Sequence, residues 1–360
     1  MGLRMSGSSG NARAACGVLL ALLAAGVGLP AARAQTVLPR HVTADTARAI
    51  DRGLLYLRRT QNPNGSWGAR GYGSNYPVVM TSLAGLAFMA HGDTPFRGKY
   101  ATQVKKALDF VLKNAENRIR QRPNAKEALI AGAARSMYGH GFGMLFLAQA
   151  YGMCDVPVYQ ERIKRVLEKA IVLTARSQST RGGWLYTPDS KGDEGSVTVT
   201  QVQALRACRN AGIKVPKKTI DQAVKYIENS AQPDGGIAYR VGMRGSRPAI
   251  SAAAVAVLYN AGRYDSTYAK RGLAYSIKHN PIEGRSGHYF YAQFYMAQAT
   301  YTAGDKYFDD YYPKMREKLL KIQNKGDGSW VGDSVGTVYG TAIACMILQL
   351  PYNTLPIMQR

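Results

Sequence analysis

The chain has 360 residues and carries 47 Lys or Arg against 23 Asp or Glu, a formal net charge of +24 at pH 7. So positive a balance favours an acidic partner, an anionic glycan or an anionic envelope surface, but no compact Lys/Arg block or aromatic-interleaved basic stripe is present, and nucleic acid is not expected. Three of the four cysteines, Cys154, Cys208 and Cys345, are widely spaced and odd in number, which excludes a disulfide framework and leaves buried free thiols as the expectation.

The first 34 residues read as an export signal. Arg4 and Arg13 lead an apolar run from Ala14 to Leu29, and Ala32-Arg33-Ala34 offers a small-residue cleavage site. The run is too short to span a bilayer, no later segment reaches about 18 apolar residues, and the rest of the chain is expected to carry no transmembrane segment. Cys16 opens the run instead of following it, which argues against lipid attachment. Cleavage after Ala34 removes three arginines and no acids, so 44 bases against 23 acids leave +21 on a secreted or periplasmic chain. Its expected parts are a short linker over 35–43, a repeat domain over 44–350 and a C-terminal tail over 351–360.

Beyond the linker the pattern alternates between two kinds of helix. Outer helices are expected near Ala44, Ala101, Glu161, Thr219, Tyr268 and Tyr312. Their apolar residues fall on one face: Ile163, Val166, Leu167, Ala170 and Ile171 follow the i, i+3, i+4, i+7, i+8 spacing, as do Ile220, Ala223, Val224 and Ile227. Inner helices are expected near Pro77, Gly139, Ser196, Ala249, His288 and Thr337. Ser251 to Leu258 and Thr341 to Leu348 are apolar nearly all round, as helices covered on every side must be. Six pairs without a polar capping unit favour a ring closed head to tail.

A turn recurs between outer and inner helices at a period of roughly 45 to 60 residues. It runs Gln61-Gly65-Trp67, Gln178-Gly182-Trp184, Gln232-Gly235-Gly236-Tyr239 and Gln323-Gly328-Trp330. Glutamine can satisfy orphan backbone groups at helix ends, glycine permits positive φ, and the aromatic ring covers the turn, so these residues read as structural staples. The segment Arg52-Gly53, Tyr56-Leu57, Gln61, Gly65 and Trp67 resembles almost fully the repeat of the prenyltransferase and squalene oxidase superfamily. Arg271-Gly272 and Tyr275 match its first half only, and Gln232 lacks the Trp. The resemblance covers roughly Thr43 to Leu350 and implies an all-α fold, an α/α toroid of six inner and six outer helices around a central cavity.

The chemistry of that superfamily is not carried over with the scaffold. Cyclases resembling this chain use an aspartate-rich acid motif, absent here; Asp309-Asp310 is expected to lie in a loop before the last outer helix. Protein prenyltransferases use zinc, but His140 and Cys154 are about 21 Å apart along a helix at 1.5 Å per residue, so no metal site or other cofactor is expected. No GxSxG, HExxH or P-loop pattern occurs.

One pair stands out: Gly139-His140-Gly141-Phe142 and Gly287-His288-Tyr289-Phe290 open the second and fifth inner helices, which face each other in a closed ring. His140, His288, Tyr289 and Tyr291 are the candidate catalytic residues. Arg135, Arg285, Tyr138, Thr200, Gln201 and Tyr339 are candidate ligand-binding residues, the arginines forming a cationic rim suited to carboxylate or phosphate. Thr81, Ser82, Thr198, Ser251, Thr337 and Thr341 suit a polyol and suit helix capping equally. The leading expectation is a secreted ligand-binding or scaffold toroid with a polar, tyrosine-lined cavity. The alternatives are a lyase or hydrolase of an acidic polysaccharide, and a terpenoid cyclase with a non-standard acid.

Overall fold

The computed structural model describes residues 38–68, 74–131, 135–284 and 287–360. The expected export signal and Arg285 lie outside the described residues. Leu38–Arg360 forms one compact unit. Among the described residues its regular structure is helical: α1 Ala44–Thr60, α2 Pro77–Ala90, α3 Ala101–Gln121, α4 Ser136–Gly152, α5 Pro157–Arg176, α6 Gly195–Asn210, α7 Lys217–Asn229, α8 Pro248–Asn260, α9 Thr267–His279, α10 Tyr289–Ala303, α11 Asp305–Ile322 and α12 Thr337–Leu348, with two short 3-10 turns after them.

The even-numbered helices are inner. Each packs on the even-numbered helices before and after it, and α12 packs on α2, which closes the ring. Their all-round apolar sequences follow from that position: every residue of α2 after Pro77 is buried. The odd-numbered helices form the outer layer and bury one stripe each. α3, α5, α7, α9 and α11 seat mainly on the inner helix that precedes them, and α1 seats on α12. The chain's first helix thus completes its last unit, and the architecture is an α/α toroid.

The turn motif is geometric glue. Gln61 Nε2 donates to Gly65 O and to Gln103 O at 3.0 Å each, joining α1 to α3. Gln178 repeats this with Gly182 O at 2.8 Å and Thr219 O at 2.9 Å, joining α5 to α7. Trp67, Trp184 and Trp330 are fully buried, and each indole N–H donates to a carbonyl near the end of its outer helix at 2.8 Å. Their backbone N–H groups donate to Thr81, Thr198 and Thr341 hydroxyls, and Ile237 N donates to Ser251. Those four hydroxyls, read from sequence as polyol ligands or caps, serve the turns. Gly182 has φ +96°, and a Cβ there would sit 2.1 Å from Gln222 O, so only glycine permits this approach to α7.

Three sequence expectations change. α11 begins at Asp305, not near Tyr312, because Pro313 inside the helix masks its pattern. Asp309 and Asp310 therefore lie on a helix: Asp310 pairs with Lys314, and Asp309 binds His41 at 2.7 Å and Arg40 at 2.5 Å. That second contact fastens to α11 the described part of the expected linker. The tail over 351–360 is also packed: Leu355, Ile357 and Met358 are buried, Ile357 N donates to Gln149 Oε1 at 3.2 Å, and Thr354 Oγ1 donates to Ala90 O. It closes the end of the ring where the inner helices finish. Above it, Gln203 of α6 donates to Gln298 of α10 at 2.7 Å, a buried bond between helices that are not ring neighbours.

Candidate functional site

With one end sealed, a cavity of about 880 Å³ remains at the other, among the N-termini of the inner helices. Among the described residues seven tyrosines line it, Tyr76, Tyr138, Tyr186, Tyr239, Tyr289, Tyr291 and Tyr339, with Arg135, Arg247, His279, His288, Ser196, Thr200 and Asp333. These positions follow from the fold, since the N-terminal ends of the inner helices and the turns that lead into them surround this end of the ring. Of the candidate ligand-binding residues Arg135, Tyr138, Thr200 and Tyr339 lie on this lining, and of the candidate catalytic residues His288, Tyr289 and Tyr291 do.

His140 does not join them, and its expected meeting with His288 across the cavity is corrected by the structure. The ring is fully buried: Ile130 N donates to Nδ1 at 3.3 Å, and Nε2 donates towards Thr174 Oγ1 at 3.0 Å and Ala170 O at 3.3 Å. Burial lowers its pKa to about 4, so it is neutral. The two histidine motifs also differ in register, since His140 is the fifth residue of α4 whereas His288 is the N-cap of α10. Glycines, not catalysis, explain the first motif. A Cβ on Gly139 would lie 2.4 Å from Ala131 Cβ and one on Gly141 2.6 Å from Thr200 Cγ2. Gln201 is also outside the cavity, buried and donating to Met137 O at 2.7 Å.

The structure adds residues that the sequence left unmarked. Glu194 is the N-cap of α6, accepting from Ser196 N at 2.9 Å and Val197 N at 2.7 Å. It also accepts from Ser196 Oγ at 2.9 Å and from Tyr138 Oη at 3.4 Å, while those two hydroxyls lie 2.7 Å apart. Burial pushes its pKa up, against the downward pull of these donors. Burial likewise raises the Tyr138 phenol, with the Glu194 charge adding to it. Asp333, at φ +49°, accepts from Phe290 N at 3.1 Å at the start of α10, and burial raises its carboxyl too. Arg135 stacks its guanidinium over Tyr186, 4.4 Å from the centroid, and Tyr186 and Tyr239 hydroxyls bond each other. Tyr186 and Tyr239 each follow by two residues the position whose amide bonds a Thr or Ser hydroxyl, a repeated offset that sequence could have flagged. Asp333 and Glu194 carry no such signal. The Tyr291 hydroxyl is buried with no hydrogen-bond partner among the described residues. Among those residues no group of three or more His, Cys, Asp or Glu converges as a metal site.

No family model and no curated protein matches the chain. Solved structures do. The α-1,6-mannanase GH76A from Salegentibacter sp. HEL1_6 aligns with TM-score 0.59 at 10% identity over 84% of this chain and 98% of that one. The type II terpene cyclase MstE from Scytonema aligns with TM-score 0.59 at 14% identity over 86% and 99%. A D-mannose isomerase aligns with TM-score 0.60 at 12% identity over 87% and 99%. At such identities the likeness is one of fold, the α/α toroid.

Proposed function

We propose that this chain is an exported binding toroid, built on the prenyltransferase and squalene oxidase type of repeat, whose blind cavity takes the end of an acidic glycan. The observation that carries the reading is the lining itself: among the described residues, seven phenols and two guanidiniums around one closed-ended space. Tyrosine rings offer flat apolar faces to a sugar while their hydroxyls bond its hydroxyls, and arginine pairs with a carboxylate in a planar fork. The orphan Tyr291 hydroxyl is a buried group that a ligand hydroxyl would satisfy. The net charge of +21 that 44 bases and 23 acids leave on the exported chain favours an anionic partner over a neutral one. Two of the similar folds are named for mannose-directed activities, which is consistent with a sugar but does not identify one.

A terpenoid cyclase fits less well. Protonating an alkene needs a carboxyl more acidic than usual, whereas burial makes Asp333 and Glu194 less acidic. The test is calorimetric titration of the chain with oligogalacturonate and oligomannuronate against neutral oligosaccharides of equal length. The acidic ligands should bind tighter by about tenfold or more, the worth of one charge-assisted pair, and Arg135→Ala and Arg247→Ala should each remove most of that advantage. Equal affinity for acidic and neutral ligands would refute the reading.

A further inference from the structure

We propose that Tyr138, Ser196 and Glu194 form a proton relay in the cavity wall, by which the toroid cleaves a uronate-containing glycan through β-elimination. The inference rests on the binding reading above and adds a reaction to it.

Three features of the α4–α6 seam carry it. Tyr138 and Ser196 both line the cavity, and their hydroxyls are 2.7 Å apart. Ser196 Oγ in turn donates to the Glu194 carboxylate at 2.9 Å, so an unbroken line of hydrogen bonds runs from the cavity surface to a fully buried carboxylate. Arg135, one helical turn before Tyr138, brings a positive charge to the same wall. Capping α6 needs only the two backbone donors, and the two hydroxyls from the cavity side are additional to that task. Gly141 is what allows α4 so close to α6.

A uronate bound with its carboxylate on Arg135 has an acidified hydrogen at C5. Tyr138 Oη takes that proton as its own passes through Ser196 to Glu194, and burial makes the carboxylate a better base than usual. The C5–H electron pair becomes the C4=C5 double bond, and the C4–O bond breaks with its pair on the departing sugar oxygen. The relay runs back and gives that oxygen the proton, so no water, oxidant or metal is consumed. The phenol's raised pKa suits this concerted passage, in which a free phenolate never accumulates. Among the described residues, the titratable groups that feel the Glu194 charge include Tyr138 from α4, Tyr226 from α7, Tyr239 before α8 and Tyr291 from α10, with Asp193 adjacent in the chain. Of these only Asp193 is a base, and the other bases lining the cavity are His279, His288 and Asp333.

The chain is incubated with polygalacturonate, alginate and chondroitin oligosaccharides, and unsaturated ends are followed by ultraviolet absorbance and mass. At least one substrate should yield them. Tyr138→Phe, which keeps the ring, should lower turnover about 10²- to 10⁴-fold while the affinity measured by calorimetry falls by no more than about tenfold, the worth of one hydrogen bond. Glu194→Gln keeps an acceptor for the α6 amides and should both slow turnover and displace the acidic limb of the pH profile; Ser196→Ala should slow it too. Circular dichroism of each variant establishes that it is folded. Oligouronates that bind but never gain a double bond overturn the relay and leave the binding reading standing, as does a Tyr138→Phe protein of full activity or a Glu194→Gln pH profile that does not move. Absence of oligouronate binding by the unmodified chain overturns both.

Discussion

Gln323, at the end of the last outer helix, donates its side-chain amide to Ala49 O in the first outer helix at 2.9 Å, so one buried hydrogen bond ties the two ends of the domain together. The same amide also reaches Gly328 O at 2.9 Å within its own turn. Gln61 and Gln178 make the same double contact to consecutive outer helices, so closure needs no special device. The seam is a repeat interface whose halves happen to lie 274 residues apart. Tyr56 and Thr337 hydroxyls at 2.6 Å, and Arg52 Nη2 on Asn324 O at 3.1 Å, join the same faces.

Replacing Gln323 by alanine leaves Gly328 O without its donor, at about 1–3 kcal/mol for a buried unsatisfied group, and removes from Ala49 O its only contact beyond its own helix among the described residues. Gln232 is the control, because its amide reaches only its local Ser230 and Ala231 carbonyls at 3.4 and 3.5 Å. Urea unfolding should show Gln323→Ala less stable by about 2 kcal/mol or more, and Gln232→Ala changed by under about 0.5 kcal/mol. Equal losses would mean that the seam is not held this way.

A second pair of variants separates backbone conformation from close approach. Gly182 and Gly212 both have positive φ, +96° and +81°, but a Cβ on Gly212 meets nothing within 4 Å whereas one on Gly182 collides with Gln222 O. Gly212→Ala should cost about 1–2 kcal/mol, the left-handed penalty alone. Gly182→Ala should cost several times that or prevent soluble expression, read from the thermal midpoint and yield. A Gly182→Ala protein no worse than Gly212→Ala would show that the backbone there can give way.

Those glycines also explain why the fold was legible in the sequence and the site only partly so. Spacing places α1 at Ala44, α2 at Pro77, α3 at Ala101 and α12 at Thr337, each where it begins, because buried and exposed faces impose a strict period. Arg135, Tyr138, Tyr291 and Tyr339 could be placed on the cavity because they belong to inner-helix first turns. Glu194 and Asp333 could not. Each sits in irregular chain where no period reports direction, and the Tyr138–Ser196–Glu194 line depends on how closely α4 meets α6. The likeness between the His140 and His288 segments misled for a related reason: a helix turns about 100° per residue, so equal residues at unequal distances from a helix start face different ways.

The C-terminal segment is predicted to be part of the core. Removing Leu355–Arg360 takes away the buried Leu355, Ile357 and Met358, each worth about 1.5–3 kcal/mol, and leaves Gln149 Oε1 without the Ile357 amide. The truncated chain should lose several kcal/mol in denaturant unfolding and bind an apolar dye at the opened end. If it is as stable as the whole chain and binds no dye, the segment does not seal the ring.

His140 makes stability pH-dependent in a direction that can be worked out. Its folded pKa is about 4 against 6.5 for the free side chain, and the shift comes from burial with no charged neighbour contributing. Between these values the unfolded chain binds the extra proton and the folded chain does not, so the stability that depends on a neutral ring is fully present above pH 6.5 and drains away as the pH falls towards 4. At 1.36 kcal/mol per pH unit the whole loss is about 3 kcal/mol. His140→Gln, which keeps a donor and an acceptor without a titration in this range, should be less stable near pH 8 but should lack that slope. Urea midpoints of the two proteins should therefore converge as the pH is lowered from 7 to 4.5; parallel curves would mean that His140 titrates normally and is not held neutral by the packing of α4 against α5.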